Sequence, residues 1–140
     1  MTPQKISHIG IAVQNLDSSV RWYQEVLGLP FEGIEAVESE QVRVAFFNIG
    51  ESRIELLEPM SEESAIAKFL AKYGEGIHHI AFEVTSLPER LKGLAEKGVR
   101  LIHDQPKPGA HQMNIAFLHP KSTGGVLMEL CEPMTSQKKE

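Results

Sequence analysis

The sequence predicts an α+β protein made of two tandem βαβββ modules. Two observations carry that reading: an ordered internal repeat, and the alternation of strand-like and helix-like patterns within each copy. His8-Ile9-Gly10-Ile11-Ala12-Val13 returns as His79-Ile80-Ala81-Phe82-Glu83-Val84, and Leu16 returns as Leu87. Ala45-Phe46 returns as Ala116-Phe117. Ile54-Glu55-Leu56-Leu57-Glu58-Pro59 returns as Met128-Glu129-Leu130-Cys131-Glu132-Pro133, three residues later than the earlier spacing. The longer turn His119–Gly125 supplies those three residues. Four matches in one order, with a single local insertion, mark a duplicated supersecondary unit.

Residues 6–13 alternate around β-branched side chains, as a strand does. Asp17 or Ser18 can cap the helix that follows, with Val20, Tyr23 and Leu27 at helical spacing and Gly28 as its stop. Residues 42–49 and 53–58 pair as a hairpin around Gly50. In the second copy Ser86 and Glu89 form a capping box. Leu87, Leu91, Leu94 and Ala95 make that helix's buried stripe, and Gly98 ends it. Residues 113–119 and 126–132 pair around Gly124-Gly125. Between the copies, Ser61 caps a third helix, roughly 62–72, which serves as connector. The expected layout is a single domain over 1–140: module one about 6–59, connector about 61–74, module two about 77–133, and a flexible polar tail at 134–140. One module alone leaves a sheet face bare, so two must pack together or enclose a cleft.

Composition narrows the function. The chain has 140 residues, 41% of them hydrophobic and 24% charged, with a net charge of −5. That is the profile of a globular domain. No basic block provides a nucleic-acid footprint, and no apolar run approaches a membrane span. The N-terminal residues lack the layout of a signal peptide. The lone Cys131 excludes an internal disulfide and suits a reducing compartment, so a cytoplasmic location is expected.

The repeat also singles out side chains. His8 pairs with His79 and Glu55 with Glu129, each His near the start of a first strand and each Glu on a last strand. Two imidazoles and two carboxylates form a divalent-metal set, with Co, Mn, Ni, Zn or Fe favoured over copper. A lone strand histidine is usually structural; the recurrence of all four at equivalent positions favours ligands. His78 points to the opposite face from His79 and is set aside. Glu58 and Glu132 repeat too, but each precedes a proline where its strand stops, and they read as surface residues. Cys131 shares a face with Glu129 and reads as a small core residue.

At this point the sequence resembles a known family. His8-Ile-Gly-Ile-Ala-Val13, the helix ending Trp22-Tyr-Gln-Glu-Val-Leu-Gly-Leu29, and the paired His and Glu strands are similar to the vicinal-oxygen-chelate superfamily. Arg53-Ile-Glu-Leu-Leu-Glu-Pro59, Ser64–Leu70, Gly76-Ile-His-His-Ile80, Lys107-Pro-Gly-Ala-His111, Phe117–Ser122 and Gly124–Leu130 resemble its methylmalonyl-CoA epimerases. The resemblance spans about residues 6 to 133. It implies a cup-shaped mixed sheet around one divalent ion held by His8, Glu55, His79 and Glu129. It implies a metal-dependent epimerase that interconverts the two epimers of methylmalonyl-CoA by 1,1-proton transfer through a metal-stabilised enolate.

Glu129 is then the expected base on one face and Glu55 the candidate on the other. Lys107, His111 and Lys121 are the candidates for holding the coenzyme A part of an acyl-CoA substrate. Similar epimerases carry either Gln or Glu at the Glu55 position. Some also place a further carboxylate on the strand over 42–47, where this chain has Val44 with Arg43 beside it. The resemblance further implies a homodimer, with neither nucleic acid nor membrane as partner. A glyoxalase I-like isomerase and a metal-free small-molecule binding or resistance protein are the alternative readings.

Overall fold

In the computed structural model, residues 2–134 are described. The expected tail, apart from Met134, lies outside them. Among the described residues, eight strands and three α-helices follow in the predicted order. The first copy comprises β1 (Lys5–Ala12), α1 (Leu16–Arg21), β2 (Phe31–Val37), β3 (Val42–Ile49) and β4 (Ser52–Pro59). The connector helix α2 (Ala65–Tyr73) comes next. The second copy comprises β5 (Gly76–Glu83), α3 (Leu87–Glu96), β6 (Lys107–Pro108), β7 (Met113–Leu118) and β8 (Met128–Pro133). By contacts the described chain divides into two units: His8–His78, and the residues before His8 together with those from His79 onward.

In the first copy β2 pairs antiparallel with β3 and β3 antiparallel with β4, while β1 and β4 run parallel. The second copy repeats this with β6, β7, β8 and β5. The sheet pairing is therefore mixed, and the protein is α+β as expected. A parallel pair requires a long crossover, and here the crossover is the helix and hairpin between first and last strand of each module.

Alternation sorts the side chains of each module into two layers. Val13, Leu16, Ala45, Phe47 and Leu56 form one buried cluster under α1, joined by Val20, Tyr23 and Phe31. Val84, Leu87, Leu91, Ala116, Leu118 and Leu130 form its counterpart under α3. The residues between them in sequence necessarily face the other way, and those include His8, Glu55, His79 and Glu129. Cys131 lies fully buried with Ala81, Met113 and Ile115, as a core residue.

The helix starts differ from the expected ones. Asn15, not Asp17 or Ser18, caps α1: its Oδ1 accepts from Ser18 N at 2.9 Å. Ser64, not Ser61, caps α2 through Ala67 N at 3.0 Å. At α3 the capping box does not form, because Ser86 is left-handed (φ 54) and its side chain caps nothing. Glu132 caps α3 instead, its two oxygens accepting from Ser86 N at 2.8 Å and Leu87 N at 3.0 Å.

Glu58 does the same in the first copy. It accepts from Leu16 N at 2.9 Å and from the Arg43 guanidinium at 2.9 Å. These repeated glutamates are therefore not idle surface residues. Each ties the end of a module's last strand to its helix, where a carboxylate meets unpaired N–H groups and the positive end of the helix dipole. Beyond α1 the chain continues as a π-turn over Trp22–Val26, and Gly28, at φ 85, ends it.

Candidate functional site

Four buried side chains stand out on the face turned away from the helices: His8, Glu55, His79 and Glu129, each 5% exposed or less. Buried charged or titratable groups require partners, and within each module the histidine and glutamate supply one another. In the first, His8 Nδ1 lies 3.3 Å from Glu55 Oε2. In the second, His79 Nε2 lies 3.1 Å from Glu129 Oε1.

The strand register explains both pairings. Gly10 of β1 stands beside Glu55, and Ala81 of β5 stands beside Glu129. Each carboxylate thus has a neighbour too small to cover it. Across the hairpin, Phe46 faces Glu55 and Phe117 faces Glu129. Phe117 also meets the His79 ring edge to face, with centroids 5.3 Å apart. The repeated Ala-Phe pair in the sequence thus places an aromatic wall beside each carboxylate. Val44, two residues from Phe46, shares the Glu55 face and is buried. Val44 is apolar, so that position offers no acid or base here.

His78 is directed away from this face and packs on Phe69 of α2, with centroids 5.0 Å apart. The three residues expected to hold coenzyme A lie elsewhere in the second copy. Lys107 is half-buried on β6, and Lys121 is exposed in the single turn Pro120–Ser122. His111 is exposed and left-handed (φ 60), with Gln112 beside it at φ 57.

One interaction was not anticipated. Arg53, two residues before Glu55 on β4, donates to Glu55 Oε2 through Nε at 3.2 Å and Nη2 at 2.9 Å. Its i, i+2 spacing was available in the sequence as a shared strand face.

The donors fit a metal ion. Buried imidazole and carboxylate together suit a borderline divalent cation, and each unit brings one such pair together, His8 with Glu55 and His79 with Glu129. Among the described residues no helix is long and apolar enough to cross a membrane.

The doubled module and its paired His and Glu strands define a class. The chain belongs to the glyoxalase/bleomycin resistance protein/dioxygenase superfamily, whose family model matches residues 7–117. Within it, the chain is 42% identical over 130 residues to the mitochondrial methylmalonyl-CoA epimerase of Dictyostelium discoideum, covering 91% of this chain and 78% of that one. It is 38% identical to the ethylmalonyl-CoA/methylmalonyl-CoA epimerase of Cereibacter sphaeroides, covering 90% and 96%. Among solved structures it is similar to a variant of Streptomyces coelicolor methylmalonyl-CoA epimerase in complex with 2-nitronate-propionyl-CoA. That match has a TM-score of 0.90 at 40% identity and covers 94% and 96% of the two chains.

Proposed function

We propose that this chain is a methylmalonyl-CoA epimerase that depends on one divalent metal ion. The observation that carries the reading is the buried His–Glu pair repeated in each module of a chain whose relatives include methylmalonyl-CoA epimerases. His8, Glu55, His79 and Glu129 would hold the ion. A bound divalent ion supplies Lewis acidity toward the oxygens that gain charge when a proton leaves the carbon between a thioester and a carboxylate.

The chain's own residues move the proton. Glu129 takes the α-proton from one face: the C–H bond breaks and an O–H bond forms on the carboxylate. Glu55 is the candidate on the opposite face: protonated at the start of the step, its O–H bond breaks as the proton passes to the carbon and it is left a carboxylate, and exchange with solvent between turnovers resets both groups. A positioned general base contributes about 10²–10⁴-fold to such a step. The buried surroundings of both carboxylates keep bulk water from competing for the proton. Phe46 and Phe117 add apolar walls beside them. Lys107, His111 and Lys121 are proposed to meet the coenzyme A part. The same reading takes the enzyme as a cytoplasmic homodimer, a two-fold assembly being the commonest oligomer.

The test is proton exchange by NMR. Metal-loaded protein is incubated with methylmalonyl-CoA in heavy water, beside an EDTA-stripped control. Metal-dependent loss of the α-proton, with interconversion of the epimers, is the expected result. Absence of exchange in protein holding stoichiometric metal refutes the epimerase reading. Glu129→Gln protein that keeps both its metal and substantial exchange refutes the role given to Glu129.

A further inference from the structure

The repeat makes the two His–Glu pairs equivalent in sequence, yet their surroundings differ in one respect. Glu55 is preceded at i−2 by Arg53; the corresponding residue before Glu129 is Leu127. On β4 the guanidinium directs two N–H groups at one oxygen, Oε2, the same oxygen that faces His8 Nδ1. The register sets Arg53 beside His8, so both reach that oxygen from neighbouring strands. The Arg53 side chain is only 15% exposed, and Glu55 only 4%. A pair this shielded from water is neither the flexible, solvent-screened ion pair of a protein surface nor easily replaced by water when broken.

We infer that Arg53 is a positioning residue for Glu55: it fixes Oε2 and so sets the carboxylate's orientation toward the ion, a service that Leu127 cannot give Glu129. The two glutamates are therefore chemically unequal, Glu55 anchored and Glu129 held without an arginine at the matching position. The inference rests on the metal-dependent reading above. Partners that orient a metal ligand usually change metal affinity by about 10–100-fold when removed.

The test is a double-mutant cycle read by calorimetric titration of metal-free protein with Co²⁺ alone, with circular dichroism to check the fold. Arg53→Leu, which copies the residue already present at the matching position, is expected to weaken Co²⁺ binding about ten-fold or more. Arg53→Lys, which keeps a charge and one donor, is expected to recover part of that loss. In a Glu55→Gln background, where the residue Arg53 acts through has lost its charge, Arg53→Leu is expected to change affinity by no more than about two-fold, since coupled residues are non-additive. Equal weakening in both backgrounds, or none in either, overturns the role given to Arg53 and leaves the metal reading intact. A wild-type protein that binds no Co²⁺ overturns the metal reading itself, and this inference with it.

Discussion

Replacing Glu132 with alanine isolates the tie between the last strand and the helix of the second module. Its carboxylate accepts one exposed hydrogen bond, from Ser86 N, and one part-buried bond, from Leu87 N. Water replaces the first when it is lost, so that bond contributes about 0.5–1 kcal/mol; the second leaves a shielded N–H without its charged acceptor and contributes about 1.5–2 kcal/mol. The expected loss is therefore about 2–3 kcal/mol. At about 2.1 cal/mol/K of unfolding entropy per residue, a chain of this size loses about 7–10 °C in Tm.

Urea or guanidinium unfolding followed by circular dichroism measures the free energy, and scanning calorimetry the Tm. Glu132 lies on the strand face opposite Glu129, so epimerisation per folded molecule should not change. A loss below about 0.5 kcal/mol would show that solvent or Glu89 satisfies the helix start equally well, and the capping argument would fail.

Other outcomes follow from the same geometry. Phe47 is fully buried against Tyr23 and Phe31, and Phe47→Ala should cost about 3–5 kcal/mol by chemical denaturation. Adding Co²⁺ at about a hundred times its Kd should stabilise metal-free protein by about 2.7 kcal/mol, reversibly with EDTA, and a Tm that does not move argues against a site formed only in the folded chain. Burial, and secondarily the Glu75 carboxylate, raise the Tyr23 hydroxyl above the usual 10.0. The neutral phenol is the form the fold favours. Its contribution to stability is thus complete below the unfolded value and lost as pH rises through the folded one. Tyrosinate absorbance, compared with Tyr23→Phe, should show a late ionisation that Glu75→Gln lowers only in part.

The sequence revealed the elements that repetition and period govern. His8 and His79, Glu55 and Glu129, and the two Ala-Phe pairs recur because both modules fold alike, so their shared strand faces could be read without coordinates. The helix starts could not. Ser86 and Glu89 satisfy a local capping rule, yet the acceptor at α3 comes from Glu132, 46 residues from Ser86. A local pattern carries no information about a partner brought in by parallel strand pairing. The same limit made Glu58 appear idle, although its repetition with Glu132 was visible. Arg53 differs again: it has no counterpart in the second copy, where Leu127 stands, so the repeat does not single it out.

The opening residues of the chain are grouped with its far half. Gln4 N donates to Glu83 O at 2.8 Å, Lys5 Nζ lies 3.9 Å from Glu83 Oε1, and the described residues before His8 fall in the unit that begins again at His79. A gene divided at the connector would therefore not yield two self-sufficient domains. The downstream fragment would lack the border segment that the upstream fragment carries away. Such halves are suited to reassembly by complementation. A permuted chain that begins in the connector would restore the continuity of one unit while opening the other.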